Sequence, residues 1–165
     1  MTDGSVIHHS ESDLETINLG RKLGEVLTHG DVIALSGELG SGKTCFTKGI
    51  SLGLGISAET VITSPSFSLV NVYEGRCVFY HMDIYRLESL SAFLSAGLDE
   101  YFYQGAVVVL EWADRWPEIL PDCRVDVVFS IPFSSSEQEH FRDIVFSACH
   151  PRAIEILQNM EKSGK

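Results

Sequence analysis

The residues best suited to chemistry form one octapeptide, Gly37-Glu38-Leu39-Gly40-Ser41-Gly42-Lys43-Thr44, which fits the spacing G-x-x-x-x-G-K-[ST] throughout. Glycines at these places let backbone N–H groups turn inward around a phosphate, at the positive end of the helix that follows. Gly40 and Gly42 also supply backbone angles that a side chain would oppose. Lys43 would reach the β- and γ-phosphates, and the Thr44 hydroxyl would bind magnesium. The loop alone predicts binding of a nucleoside triphosphate with its metal.

Hydrolysis asks for more: an acid on the magnesium side and a group that orients water. Glu111 directly follows the apolar run Val107-Val108-Val109-Leu110, where a Walker-B carboxylate is expected. Asp83 ends the run Val78 to Met82, inside His81-Met82-Asp83-Ile84-Tyr85-Arg86. The alternative for either is a plain carboxylate at a sheet edge. The residue types leave open which of the two orients water and which holds magnesium. His81 and Arg86 read as structural, through a hydrogen bond or an ion pair. Trp112 is either a packing residue or an aromatic beside the nucleotide. The segment Thr63-Ser64-Pro65-Ser66-Phe67 is either a proline turn or a mobile switch, and position does not decide. No N-K-x-D guanine-reading motif follows the loop, which favours ATP over GTP.

These residues need a scaffold. A helix is predicted from Asp13 to Thr28, with Ser12 and Glu15 as a capping box and Leu14, Ile17, Leu23, Val26 and Leu27 as its apolar stripe. Val32 to Ser36 reads as a buried strand, and Lys43 to Leu54 as the helix after the loop. Leu69 to Tyr73 and Cys77 to Asp83 form a predicted hairpin around Glu74-Gly75. Leu87 to Leu98 reads as a helix and Val107 to Leu110 as a buried strand. Strands over Val125–Ile131 and Phe141–Ala148 and a helix over Ala153–Met160 complete the chain. Parallel-type strands are expected early and hairpin strands later. The fold class is α/β: a P-loop NTPase-like mixed β-sheet flanked by helices. One domain over residues 1–165 is expected, with residues 1–11 as a mobile leader in which His8 and His9 are solvated.

Bulk properties bound the function. With 165 residues, 44% hydrophobic and 21% charged, the chain has a globular composition. Twelve basic against 23 acidic residues give a net charge of -11, a surface that repels phosphate backbones and disfavours unaided nucleic-acid binding. The four cysteines, Cys45, Cys77, Cys123 and Cys149, have no C-x-x-C pairing and read as reduced thiols. No apolar run approaches the roughly 20 residues of a membrane helix, and the N-terminus lacks a signal pattern. A cytoplasmic protein is expected.

Four motifs taken together, GELGSGKT, TSPSF, HMDIYR and LEW, resemble those of the TsaE (YjeE) family, the bacterial ATPases of tRNA threonylcarbamoyladenosine biosynthesis. Their order and spacing fit from about Asp13 to Val145. The resemblance implies Mg-ATP as the ligand, phosphate and metal held by Lys43 and Thr44, and Asp83 and Glu111 as essential carboxylates. It implies a switch at Ser64-Pro65-Ser66-Phe67 near the γ-phosphate, Trp112 beside the nucleotide, and a contact from Asp13–Thr16 to the adenine end. Ser66 stands where the family usually has threonine, keeping the hydroxyl and losing the methyl. The partners implied are the threonylcarbamoyl transferase and its paralogue, with tRNA reached only through them. Cys45, directly after Thr44, places a thiol at the nucleotide site.

Two other functions fit a P-loop chain of this size. A small-molecule kinase would need a basic lid, and after Glu111 the candidates are Arg115 and Arg124. A nucleotide-gated binding module would need no chemistry at Glu111.

Overall fold

The computed structural model describes residues 4–65, 67–132 and 140–163. Its centre is β2 (Val32–Ser36), flanked by β5 (Val107–Glu111) and β6 (Val125–Ser130) and parallel to both. Every residue of β5, and all of β2 but Ser36, is buried, which is why both read as continuous apolar runs. Outward from β5 come β4 (Val78–Asp83), parallel to it, and β3 (Val70–Glu74), joined to β4 as an antiparallel hairpin. On the other side β7 (Arg142–Ala148) pairs antiparallel with β6, and β1 (Gly4–Ser10) with β7. The sheet order is β1-β7-β6-β2-β5-β4-β3. The expected α/β class with a mixed sheet is what the chain adopts. Parallel and antiparallel pairs are interleaved along the chain, since the late strand β6 runs parallel to β2.

Side chains alternate between two apolar layers. Ile33, Leu35, Phe79, Val107 and Val109 pack against α1 (Asp13–Val26), α2 (Lys43–Gly53) and α4 (Pro151–Lys162). Val32, Ala34, Met82, Val108 and Leu110 pack against Phe93 of α3 (Leu90–Ser95) and against Leu98 and Phe102 of a 3-10 turn. No helix among the described residues is long and apolar enough to cross a membrane.

Three expectations are corrected. Most of the supposed leader is β1, paired along its whole length with β7, because its backbone completes an otherwise open sheet edge. His8 and His9 are accordingly held, at 2.7 Å from Glu161 and 2.6 Å from Asp143. The helix expected over Leu87–Leu98 begins only at Leu90, after its cap Ser89, and Gly97 ends it in the left-handed region. Residues before it are held otherwise: Arg115 occupies the carbonyls of Ile84 and Tyr85. Leu14 is 66% exposed and leaves the apolar stripe of α1, whose buried side is carried by Leu19 and Leu23. The cap itself holds, with the Glu15 N–H donating to Ser12 Oγ at 3.1 Å, while the Glu15 carboxylate accepts from Glu11.

α1 and α2 approach backbone to backbone. A Cβ at Gly20 would land on the Phe46 carbonyl, and one at Gly49 on the Ile17 carbonyl. Gly49→Ala is therefore expected to destabilise the protein by about 1–3 kcal/mol through overpacking, outweighing the roughly 1 kcal/mol alanine gains in helix propensity. Thermal unfolding should show a midpoint lowered by about 2–12 °C. An unchanged or raised midpoint would mean that the two helices separate freely.

Candidate functional site

The site lies where the parallel strands end. Asp83 and Glu111, the last residues of β4 and β5, are register partners, and Leu35 of β2 pairs with Glu111 on the other side. Alternation places His81 and Asp83 on the face of Phe79, and Glu111 on the face of Val109, the side that carries α2. This is the carboxyl-end crevice of an α/β sheet, where ligands bind. A cleft of about 670 Å³ opens there.

The loop between β2 and α2 forms its floor. At Gly37 a Cβ would meet the Phe129 carbonyl and Ser41 Oγ, each at 2.7 Å, while Gly42 sits at φ 103°. Gly42 caps α2 without a side-chain hydrogen bond, so the first N–H groups of the helix remain available to an anion. Lys43 Nζ donates to the carbonyls of Gly37 at 2.6 Å and Glu38 at 2.8 Å, and approaches Ser41 Oγ at 3.3 Å. Its ammonium also lies 4.2 Å from the centre of the Trp112 ring. Burial pushes Lys43 below its usual value, opposed by Glu111, Asp83 and Asp114.

Thr44 joins the loop to the carboxylates. Its hydroxyl donates to Glu111 Oε1 at 3.2 Å and lies 2.9 Å from Ser64 Oγ. Asp83 Oδ1 accepts the Tyr85 N–H at 2.9 Å. Burial pushes the Asp83 carboxyl up, and the neighbouring charge of Glu111 adds to the rise, against hydrogen bonds from Tyr85 and Ser64. One hydroxyl and two carboxylates are hard oxygen donors, and they fit magnesium, which takes few protein ligands and retains water and phosphate oxygens.

Most of the residues expected at a site come together here. Leu39 to Thr44, Ser64, Pro65, Asp83, Glu111 and Trp112 line the cleft. Gly37 and Glu38 contribute carbonyls to Lys43 instead. Phe67 is 95% exposed and does not line the cleft, and Ser66 lies outside the described residues. Asp13 is on the rim, and Cys45 is a half-buried lining residue. Burial raises the Cys45 thiol, which slows attack by reagents that need the thiolate.

The family model described as threonylcarbamoyl adenosine biosynthesis protein TsaE matches residues 10–142, from the end of β1 to the start of β7. The chain belongs to the TsaE family. It is 47% identical to the tRNA threonylcarbamoyladenosine biosynthesis protein TsaE of Treponema pallidum over 72% of this chain and 86% of the relative. It is 43% identical to the protein of the same name in Bacillus subtilis, over 81% of this chain and 79% of the relative. The crystal structure of Bacillus subtilis YdiB superposes with a TM-score of 0.82 at 30% identity, covering 100% of this chain and 99% of that one.

Among the residues of this TsaE-family site that were not assigned to it from the sequence are Arg142 and His81. Arg142, at the start of β7, donates through Nε to the Ser41 carbonyl and through Nη2 to the Gly40 carbonyl, each at 3.0 Å. These bonds tie the loop to the head of β7 and occupy two of its carbonyls. An arginine at the head of β7, beside Asp143, carried no signal that pointed to the loop. His81 was read as structural, and its ring hydrogen-bonds to Glu111 within the core.

Proposed function

We propose that this chain binds Mg-ATP in the cleft and hydrolyses it in support of the threonylcarbamoyl transferase and its paralogue. The product of that assembly would be N6-threonylcarbamoyladenosine at position 37 of tRNAs reading codons that start with A. The observation that carries the ATPase reading is the 3.2 Å contact of Thr44 Oγ1 with Glu111, in which the loop hydroxyl meets a strand-end carboxylate. The names of the relatives support the pathway. The net charge of -11 fits a motor whose partner holds the tRNA.

In this reading the phosphates take the N–H groups of Leu39 to Thr44, and Lys43 exchanges its two carbonyl partners for phosphate oxygens. Thr44 and one carboxylate hold magnesium, which when bound neutralises charge developing on the phosphates. Glu111, nearly dry, accepts a hydrogen bond from the attacking water and orients it. Trp112 and the Ser64-Pro65 segment close over the phosphate end and exclude solvent. Against a kinase reading, the two arginines considered for a basic lid are engaged elsewhere: Arg115 is bound to the carbonyls of Ile84 and Tyr85, and Arg124 to Asp126 at 2.8 Å.

Cells lacking the protein are expected to lose the modified nucleoside, measured by mass spectrometry of digested tRNA, and to regain it with the wild-type gene. ATP turnover should rise when the transferase complex is added to the purified protein. Unchanged nucleoside levels, or turnover equally fast without the complex, would sink the proposal.

A further inference from the structure

We infer that His81 is a positioning residue that occupies one oxygen of Glu111 and leaves the other for chemistry, an inference that rests on the proposed role of Glu111. His81 is wholly buried on β4, and its Nε2 lies 2.8 Å from Glu111 Oε1. Glu111 is itself 2% exposed. In a neutral imidazole one nitrogen donates and the other accepts. An ionised carboxylate only accepts, so Nε2 carries the proton. Nδ1 then holds a lone pair, and it has no hydrogen-bond partner among the described residues. The opposite tautomer would bury an N–H without an acceptor, and orphaned buried donors are the rarer case. The surroundings therefore select the Nε2–H form.

The consequence falls on Glu111. Oε1 accepts both the His81 N–H and the Thr44 hydroxyl, at 2.8 and 3.2 Å. Oε2 has only the longer 3.5 Å approach of that same hydroxyl among the described residues. A free carboxylate interchanges its oxygens by rotation; the His81 bond stops this and leaves Oε2 as the acceptor for a water in the cleft. Neighbours that only fill the strand, Phe79 and Met82, are apolar. An imidazole in their company costs desolvation that the Glu111 hydrogen bond offsets.

The test reads the tautomer directly. In ¹⁵N NMR of the nucleotide-free protein, His81 is expected to show a protonated Nε2 and an unprotonated Nδ1. An Nδ1–H tautomer, with no proton on Nε2 to give Glu111, overturns the inference. His81→Gln, whose amide nitrogen can replace Nε2, should keep kcat in the assembled complex within about threefold. His81→Asn, which reaches only the Nδ1 position, and His81→Leu should lose about 10- to 100-fold in kcat with KM for ATP nearly unchanged. Equal kcat in all three variants overturns it, as does a change confined to KM. If His81→Leu fails to fold, the NMR assignment and the contrast of Gln with Asn still decide. Full turnover in Glu111→Gln would remove the proposed role of Glu111 itself. Full turnover in His81→Leu beside an inactive Glu111→Gln would remove His81 alone.

Discussion

Glu111→Gln is expected to leave ATP affinity nearly intact while cutting turnover by about 10²- to 10⁴-fold, the range supplied by a positioned proton acceptor. Glutamine has the same shape, and its carbonyl can take the place of Oε1, accepting from His81 and from the Thr44 hydroxyl. Its NH₂ group then stands where Oε2 was, so an acceptor for water becomes a donor. The phosphate cradle of Leu39 to Thr44 is untouched, which is why binding should survive. Binding can be followed through Trp112, whose ring lies 4.2 Å from Lys43 and should change fluorescence when the ammonium turns toward phosphate. The variant also separates two functions, because a nucleotide-gated module without chemistry would still support tRNA modification in cells. Full turnover in Glu111→Gln would remove Glu111 from the mechanism.

Asp83→Asn is expected to stabilise the metal-free, nucleotide-free protein while abolishing the part of nucleotide binding that depends on magnesium. Burial holds the Asp83 carboxyl above its ordinary value of 3.8, so folding favours the protonated form. The sign follows from linkage. The contribution of a carboxyl raised in the folded state is fully present below the unfolded value and is lost as pH rises through the folded one. At neutral pH the ionised group therefore detracts from stability, and asparagine removes that charge while keeping an oxygen for the Tyr85 N–H. In EDTA at pH 7 the unfolding midpoint should rise by about 2 °C, a modest gain because the group is partly solvated. The difference from wild type should shrink as pH falls through the folded value toward 3.8. Magnesium added with ATP should raise the midpoint of the wild type and not of the variant. A midpoint that drops in EDTA would show that Asp83 is held by favourable charges in the free protein, contrary to its burial.

Much of the site was legible because its residues obey local rules. The octapeptide carries its own geometry, in glycines that must adopt particular angles and a lysine that must follow them. Glu111 could be picked out because an acid directly after a buried apolar run has one natural position, the end of a strand, whereas the run before Asp83 is mixed and includes His81, so the resemblance carried that choice. Arg142 gave no comparable signal, since its partners Gly40 and Ser41 lie on the far side of the chain and their carbonyls are generic. The helix contact through Gly20 and Gly49 was equally silent. A glycine in a helix is locally unfavourable, and only the neighbour explains it.

The glycine-rich octapeptide, the candidate carboxylates, the order of most elements and the family could be read from the chain alone, because each depends on residues close together along it. That Gly4–Ser10 form a strand emerged from packing, since it depends on an open edge at β7 rather than on propensity. The meeting of His81 with Glu111 emerged in the same way, because strand register sets which side chains come together across β4 and β5. Phe67 belongs to the expected switch by position and to the solvent by geometry. Spacing along the chain specifies what a residue can do, and packing specifies what it does it to.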